Sequence, residues 1–243
     1  MFDTIILLTG PVEQTALGAA LRGHRPSLTM IYPASLAELL AIADTTLRRA
    51  RLIAFASPVI VPPSVLERLG FGACNFHPGP PEFPGFSPAQ FAIYHDARTF
   101  GATAHVMAER VDEGAIFDVA RFDVPENTSV ADLELLGYRE LAALFWRNAA
   151  VLAMNEALPA PIAVAWSGEK SSRRKYRALC TLPPDVGAAE LERRLRAFGG
   201  GYFGMPLTVM LHGRHFTYAP PEPRDDAVKQ QAPEPRISLP AAE

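Results

Sequence analysis

Apolar positions in the first half of the chain fall into short unbroken runs, separated by stretches with helical spacing. Thr4 to Leu8 (TIILL) has no polar alternation and reads as a strand buried on both faces. Gly10-Pro11 opens a turn, and Glu13 to Arg22 follows as a helix. Leu28 to Ile31 is a second strand, and Ser35 caps a helix that runs to about Arg49. Leu52 to Phe55 and Ala73 to Phe76 are the third and fourth strands, and Pro88 to His95 is a helix. Gly101 to Met107 and Ala115 to Asp123 read as two strands joined by a turn that holds Asp112. Val130 to Leu158 is a long helix with Leu133, Leu136, Leu141, Leu144 and Phe145 on one face. The βαβα alternation with continuous apolar strands predicts an α/β fold, a doubly wound and mostly parallel sheet.

The pattern changes at Pro159. Trp166 to Arg177 is polar and basic, Ala188 to Phe198 is a short amphipathic helix, and Leu207–Leu211 with His215–Tyr218 flank Gly213-Arg214 as a hairpin. From Pro220 the chain is rich in Pro, Ala and charge and is expected to be a disordered tail. The expected division is a principal domain over 1–160, a small α+β extension over 161–219 and the tail over 220–243. No internal repeat is apparent.

Composition adds exclusions. The 243 residues are 49% hydrophobic and 20% charged with a net charge of −3, enough for one generous domain and without the polybasic signature of a nucleic-acid or anionic-membrane binder. Two cysteines without metal-like spacing, Cys74 and Cys180, point to a reducing, cytoplasmic setting rather than a disulfide scaffold. Ile5 to Leu8 is too short for a signal peptide, and no apolar run is long enough to span a membrane.

The chemistry concentrates in Asn75-Phe76-His77-Pro78-Gly79-Pro80-Pro81 and in Val111-Asp112-Glu113-Gly114. Asn75 offers an amide to a developing oxyanion, His77 exchanges protons near neutral pH, and Asp112 can orient the imidazole. These are the groups that moving a small acyl unit onto an amine would use. Two residues apart on a strand, Asn75 and His77 point to the same face. They lie at the carboxyl end of a predicted parallel strand, where ligands of such sheets gather, as does Ser57-Pro58 after the third strand.

With Gly101-Ala102-Thr103-Ala104-His105 and the helix of Pro88 and Gln90 in order between them, these motifs resemble the 10-formyltetrahydrofolate-dependent formyltransferases. That family includes glycinamide ribonucleotide transformylase, methionyl-tRNA formyltransferase and the sugar N-formyltransferases. The match spans roughly residues 50 to 118 and continues more weakly through the long helix and Arg194 to Phe203. The resemblance implies a Rossmann-like catalytic domain and catalysis by Asn75, His77 and Asp112. In it the Asn and a protonated His bind the formyl oxygen, while the Asp helps keep the His charged. Folate as co-substrate, with no metal, is implied against Phe55, Ser57, Val59, Ile60, Val61 and Gly114. The loop Gly79 to Gly85 departs from the family's usual run. The chain also ends without the second domain expected of a tRNA-formylating enzyme.

Alternatives stand beside these readings. His105 is as readily a packed histidine as a substrate contact, and Gln90 belongs to the matching helix. Lys170, Arg173, Arg174, Lys175 and Arg177 form either a solvated loop or an anion site for a phosphorylated acceptor, Arg174 and Lys175 being the candidates. A zinc site at His77, His105 and Asp112 lacks supporting spacing, and Gly199-Gly200-Gly201 lacks the lysine of a P-loop. The expected function is N-formylation of a primary amine on a small metabolite such as a nucleotide-linked amino sugar. The rivals are methionyl-tRNA formylation, hydrolysis of the donor, and a silent folate-binding protein. The segment after Pro159 is a candidate homodimer contact.

Overall fold

The computed structural model describes residues 2–219, so the expected tail from Pro220 lies outside the described residues. In chain order the elements are β1 (Thr4–Leu8), α1 (Pro11–His24), β2 (Thr29–Ile31), α2 (Leu36–Leu40), α3 (Asp44–Leu47), β3 (Ala50–Phe55), α4 (Pro63–Leu66), β4 (Ala73–His77), α5 (Pro88–Tyr94), β5 (Thr99–Val106), β6 (Ile116–Asp123) and α6 (Val130–Met154). Then follow α7 (Arg173–Cys180), β7 (Thr181–Leu182), α8 (Ala188–Phe198), β8 (Thr208–Leu211) and β9 (Arg214–Thr217).

Six strands form one mixed sheet in the order β2-β1-β3-β4-β5-β6. The first four run parallel, and β5 and β6 are antiparallel to their neighbours. The expected α/β sheet is therefore present, mostly parallel, with an antiparallel edge that joins β5 directly to β6. Side-chain alternation divides β1 cleanly. Ile5 and Leu7 pack toward α1 and α6, whereas Ile6 and Leu8 pack with Leu39, Leu47 and Val65 on the opposite face. Both faces are covered by helices, which is why the strands read as unbroken apolar runs.

The same alternation sets the direction of the site. On β4, Cys74 and Phe76 enter the α6-side core, so Asn75 and His77 face away from α6. On β3, Ile53 and Phe55 join that core, and Ala54 pairs in register with Asn75 on the other side.

Two helices differ from expectation. The Ser35 helix is capped as read, the hydroxyl accepting from the Glu38 amide at 3.2 Å, but it breaks into α2 and α3 across Ala41 to Ala43. The long helix ends at Met154, where the buried Arg51 guanidinium donates to Leu152 O at 2.6 Å and Glu156 O at 2.7 Å. Those carbonyls lack helical partners, so a buried cation at the C-terminus replaces the missing amides.

The polar stretch after Trp166 contains α7, whose one buried stripe is Tyr176 and Cys180. Its basic residues hide the short amphipathic pattern. Tyr176, Ala197 and Phe198 share an apolar cluster with Ala89, Phe91 and Ile93 of α5, so α7 and α8 pack onto the helix that follows the Asn75–His77 loop.

Candidate active site

Three backbone segments meet beyond the carboxyl end of β4: the loop Pro78 to Phe86, the turn Val111 to Gly114, and the strap Trp166 to Ser171. Asp112 occupies a left-handed turn with φ 51°, a conformation aspartate tolerates better than most residues, and its side chain is buried. Its Oδ2 lies 3.4 Å from His77 Nδ1 and accepts a 2.8 Å hydrogen bond from the Gly85 amide. Gly85 has φ 96°, and a Cβ there would meet Ser171 O at 2.3 Å, so this donor position requires glycine.

Both His77 nitrogens face acceptors, Nδ1 toward Asp112 and Nε2 toward Phe83 O at 3.1 Å. Burial nevertheless dominates and holds the His77 pKa below its ordinary value, against the opposing pull of Asp112 and the Phe83 carbonyl. Desolvation thus favours the neutral ring, and the Asp112 carboxylate pulls toward the charged one. The Asp112 carboxyl is itself pushed upward by burial, but the two imidazoles and the Gly85 amide outweigh that and leave its pKa lowered.

Asn75 and His105 are register partners on β4 and β5. Asn75 Nδ2 lies 3.1 Å from His105 Nε2, and His105 Nδ1 lies 2.9 Å from Val106 O. An amide nitrogen only donates, so this pattern assigns the proton to His105 Nδ1 and a lone pair to Nε2. Asp112 Oδ1 lies 3.3 Å from that Nε2 and makes no hydrogen bond of good geometry. A buried carboxylate oxygen is left open beside Asn75.

Trp166 completes the enclosure. Its Nε1 donates to Gly114 O at 2.9 Å, and its ring meets His105 and His77 edge to face at centroid distances of 5.0 and 5.7 Å. Gly114 is needed for this approach to β5, since a Cβ would lie 1.7 Å from Val106 O.

A cavity of about 80 Å³ lies against Asn75, His105 and Asp112, with Ala54, Ser57, Val59, Ile60 and Val61 among its walls. Phe55 is not among them. Strand alternation turns it into the core, where it meets Tyr138 and Phe145 edge to face, and Ala54 takes the wall position. Gln90 also sits away from the cavity. Its amide is engaged by Ser87 at 2.6 Å and Glu134 at 2.9 Å, tying α5 to α6. A larger cavity of about 610 Å³ lies between the Phe83 loop, α5 and α7, bounded by Phe91, Tyr94, His95, Ser171 and Lys175. Arg174 is exposed and outside it, Lys175 pairs with Glu169, and Lys170 pairs with Glu113 at 2.7 Å. Of the five basic residues in this cluster, Lys170 and Lys175 are thus engaged by carboxylates, and Arg173 lies over the Phe86 ring at 5.1 Å.

Residues 47–137 match the family described as Formyl transferase. That segment holds Asn75, His77 and Asp112, and the match supports an enzyme of the formyl-transferring class. No curated protein matches the sequence. A sugar N-formyltransferase from Shewanella sp superposes with a TM-score of 0.70 at 20% identity, over 89% of this chain and 96% of that one. A 4-N formyltransferase from Francisella tularensis gives 0.69 at 19% identity, over the same 89% and 96%. An N-formyltransferase from Helicobacter canadensis, in complex with folinic acid and dTDP-3-aminofucose, gives 0.62 at 16% identity over 88% and 85%.

The candidate site contains three groups that sequence reasoning passed over: the Gly85 amide, the Phe83 carbonyl and Trp166. The backbone groups leave no sequence signal. Trp166 had one, being one of only two tryptophans and the sole large aromatic opening a polar run.

Proposed function

We propose that this chain transfers a formyl group from 10-formyltetrahydrofolate to the primary amine of a small metabolite, a nucleotide-linked amino sugar being the acceptor class. The observation that carries the reading is Asp112 Oδ1, a buried carboxylate oxygen without a well-formed hydrogen bond, opening beside the Asn75 amide onto a cavity. It is placed to accept from an attacking amine while Asn75 donates to the formyl oxygen. The proton that the new C–N bond releases passes to Asp112 and on to the departing folate nitrogen, and His77 Nδ1, 3.4 Å from Asp112 Oδ2, shares it in transit.

The small cavity is far below the roughly 300 Å³ at the lower end of ligand pockets, so it suits only the reactive end of the donor. Ile60 and Val111 are exposed on its rim and must part for the rest. The larger cavity shares Phe83 with the His77 contact and is our assignment for the acceptor. Phe91, Tyr94 and His95 offer rings to a base, and Lys175 offers charge to phosphate. The bound pair in the Helicobacter canadensis protein, folinic acid with a nucleotide-linked amino sugar, supports the same classes of donor and acceptor.

The test is mass spectrometry of nucleotide-linked amino sugars incubated with protein and 10-formyltetrahydrofolate, looking for the gain of one CO unit. Formylation of methionyl-tRNA instead would reassign the acceptor. Rapid donor breakdown without any amine would mark a hydrolase.

A further inference from the structure

The strap from Trp166 to Ser171 has no regular structure, yet it is fixed to both loops that build the site. Its Ser167 amide donates to Pro81 O at 3.1 Å, its Ser171 amide to Pro84 O at 3.0 Å, and its Ser171 hydroxyl to Phe86 O at 2.6 Å. Trp166 Nε1 anchors the other end on Gly114 O. Gly168 passes so close to Glu82 that a Cβ would lie 1.7 Å from its carbonyl oxygen. The indole cannot drift far from the two imidazoles, because the chain on either side of it is held.

The face of the strap turned inward is apolar at one residue only, Trp166, and there it lies against both His77 and His105. The ring adds no acceptor and spends its one donor on Gly114 O, so it offers the reacting atoms no chemistry. It removes a route for water instead. His77 is desolvated strongly enough to lower its pKa although both its nitrogens face acceptors, and the indole is the bulkiest side chain packed against it.

We propose that Trp166 decides the partition of the formyl group between amine and water. The inference rests on the formyl-transfer reading above. In the unwanted reaction the oxygen of water bonds to the formyl carbon and the carbon–nitrogen bond to folate breaks. The folate nitrogen gains one proton, and formate leaves with the other released to solvent. The groups that promote amine attack would promote this reaction equally, so selectivity requires that water be kept out until the amine is seated.

Three measurements test it on the full chain: folinic acid affinity by calorimetry, tetrahydrofolate release from 10-formyltetrahydrofolate without amine, and circular dichroism to verify folding. Wild type is expected to bind folinic acid and release tetrahydrofolate slowly. Trp166→Ala is expected to raise that release severalfold, because water then reaches the formyl carbon before an amine is seated. Trp166→Phe, which keeps a ring in place, should stay near wild type, and adding His77→Ala to Trp166→Ala should abolish the gain. A structural lesion alone lowers rates, so a rise in breakdown cannot come from misfolding. Folinic acid binding with release no faster in Trp166→Ala overturns the role of Trp166 and leaves formyl transfer standing. Absence of folinic acid binding in wild type overturns both. If Trp166→Ala fails to fold, Trp166→Leu replaces it, and unchanged release in that variant equally overturns the proposal.

Discussion

Asn75 donates its amide to His105 Nε2 across the β4–β5 ladder, 3.1 Å apart, and this single bond orients the group that faces the cavity. The remaining amide hydrogen of Asn75 is thereby aimed, and the carbonyl end is turned away from His105. His105→Phe should keep the ring's volume and lose the acceptor. Turnover is expected to fall by about 10²-fold, as for a misplaced catalytic group, with folinic acid affinity little changed. Steady-state kinetics beside calorimetry would separate the two; an unchanged rate would make His105 a packing residue only.

His77→Ala removes the imidazole beside Asp112 without opening the cavity wall, because His77 is not part of the cavity lining. A loss of about 10²–10³ in kcat is expected, with folinic acid binding nearly intact. A parallel collapse of affinity would instead make His77 part of the binding surface.

Stability should depend on His77 in a defined direction. Its folded pKa lies below the unfolded value of about 6.5, so the unfolded chain binds more protons once pH drops toward that value. The contribution is present above about pH 6.5 and is lost as pH falls through the lowered folded pKa. Asp112, also lowered, adds a second loss further into acid, below its ordinary value of about 3.9. Thermal melts between neutral and mildly acidic pH should show a smaller drop for His77→Gln than for wild type.

Arg51 is wholly buried, stacks over Phe2 and donates to three carbonyls, those of Phe71, Leu152 and Glu156. Arg51→Met keeps the stem and strands those oxygens at the end of α6. Denaturant unfolding should show a loss of about 3 kcal/mol or more, since each buried acceptor left unpaired costs about 1–3 kcal/mol. A change below 1 kcal/mol, within the range of an ordinary surface substitution, would show that water reaches this helix end.

Lys175→Ala should raise KM for a phosphorylated acceptor, because Lys175 bounds the larger cavity, whereas exposed Arg174→Ala should not. Equal effects of the two would move the anion contact from the cavity to the open face of α7.

Local pattern was enough for the sheet and for the face that Asn75 and His77 share on β4. Unbroken runs such as Thr4–Leu8 announce strands covered on both sides, and a two-residue spacing commits Asn75 and His77 to one face before any partner is known. Asp112 was legible too, since an Asp–x–Gly turn after a strand is a local signal. What local pattern could not carry was the face of Phe55, which depends on the phase of β3 against its neighbours, or the engagement of Gln90 by Glu134, forty-four positions away. The lowered pKa of His77 was equally out of reach. It follows from how completely the loop of Phe83, the turn of Asp112 and the strap of Trp166 exclude water, and solvent exclusion belongs to the closed assembly of all three rather than to any of them.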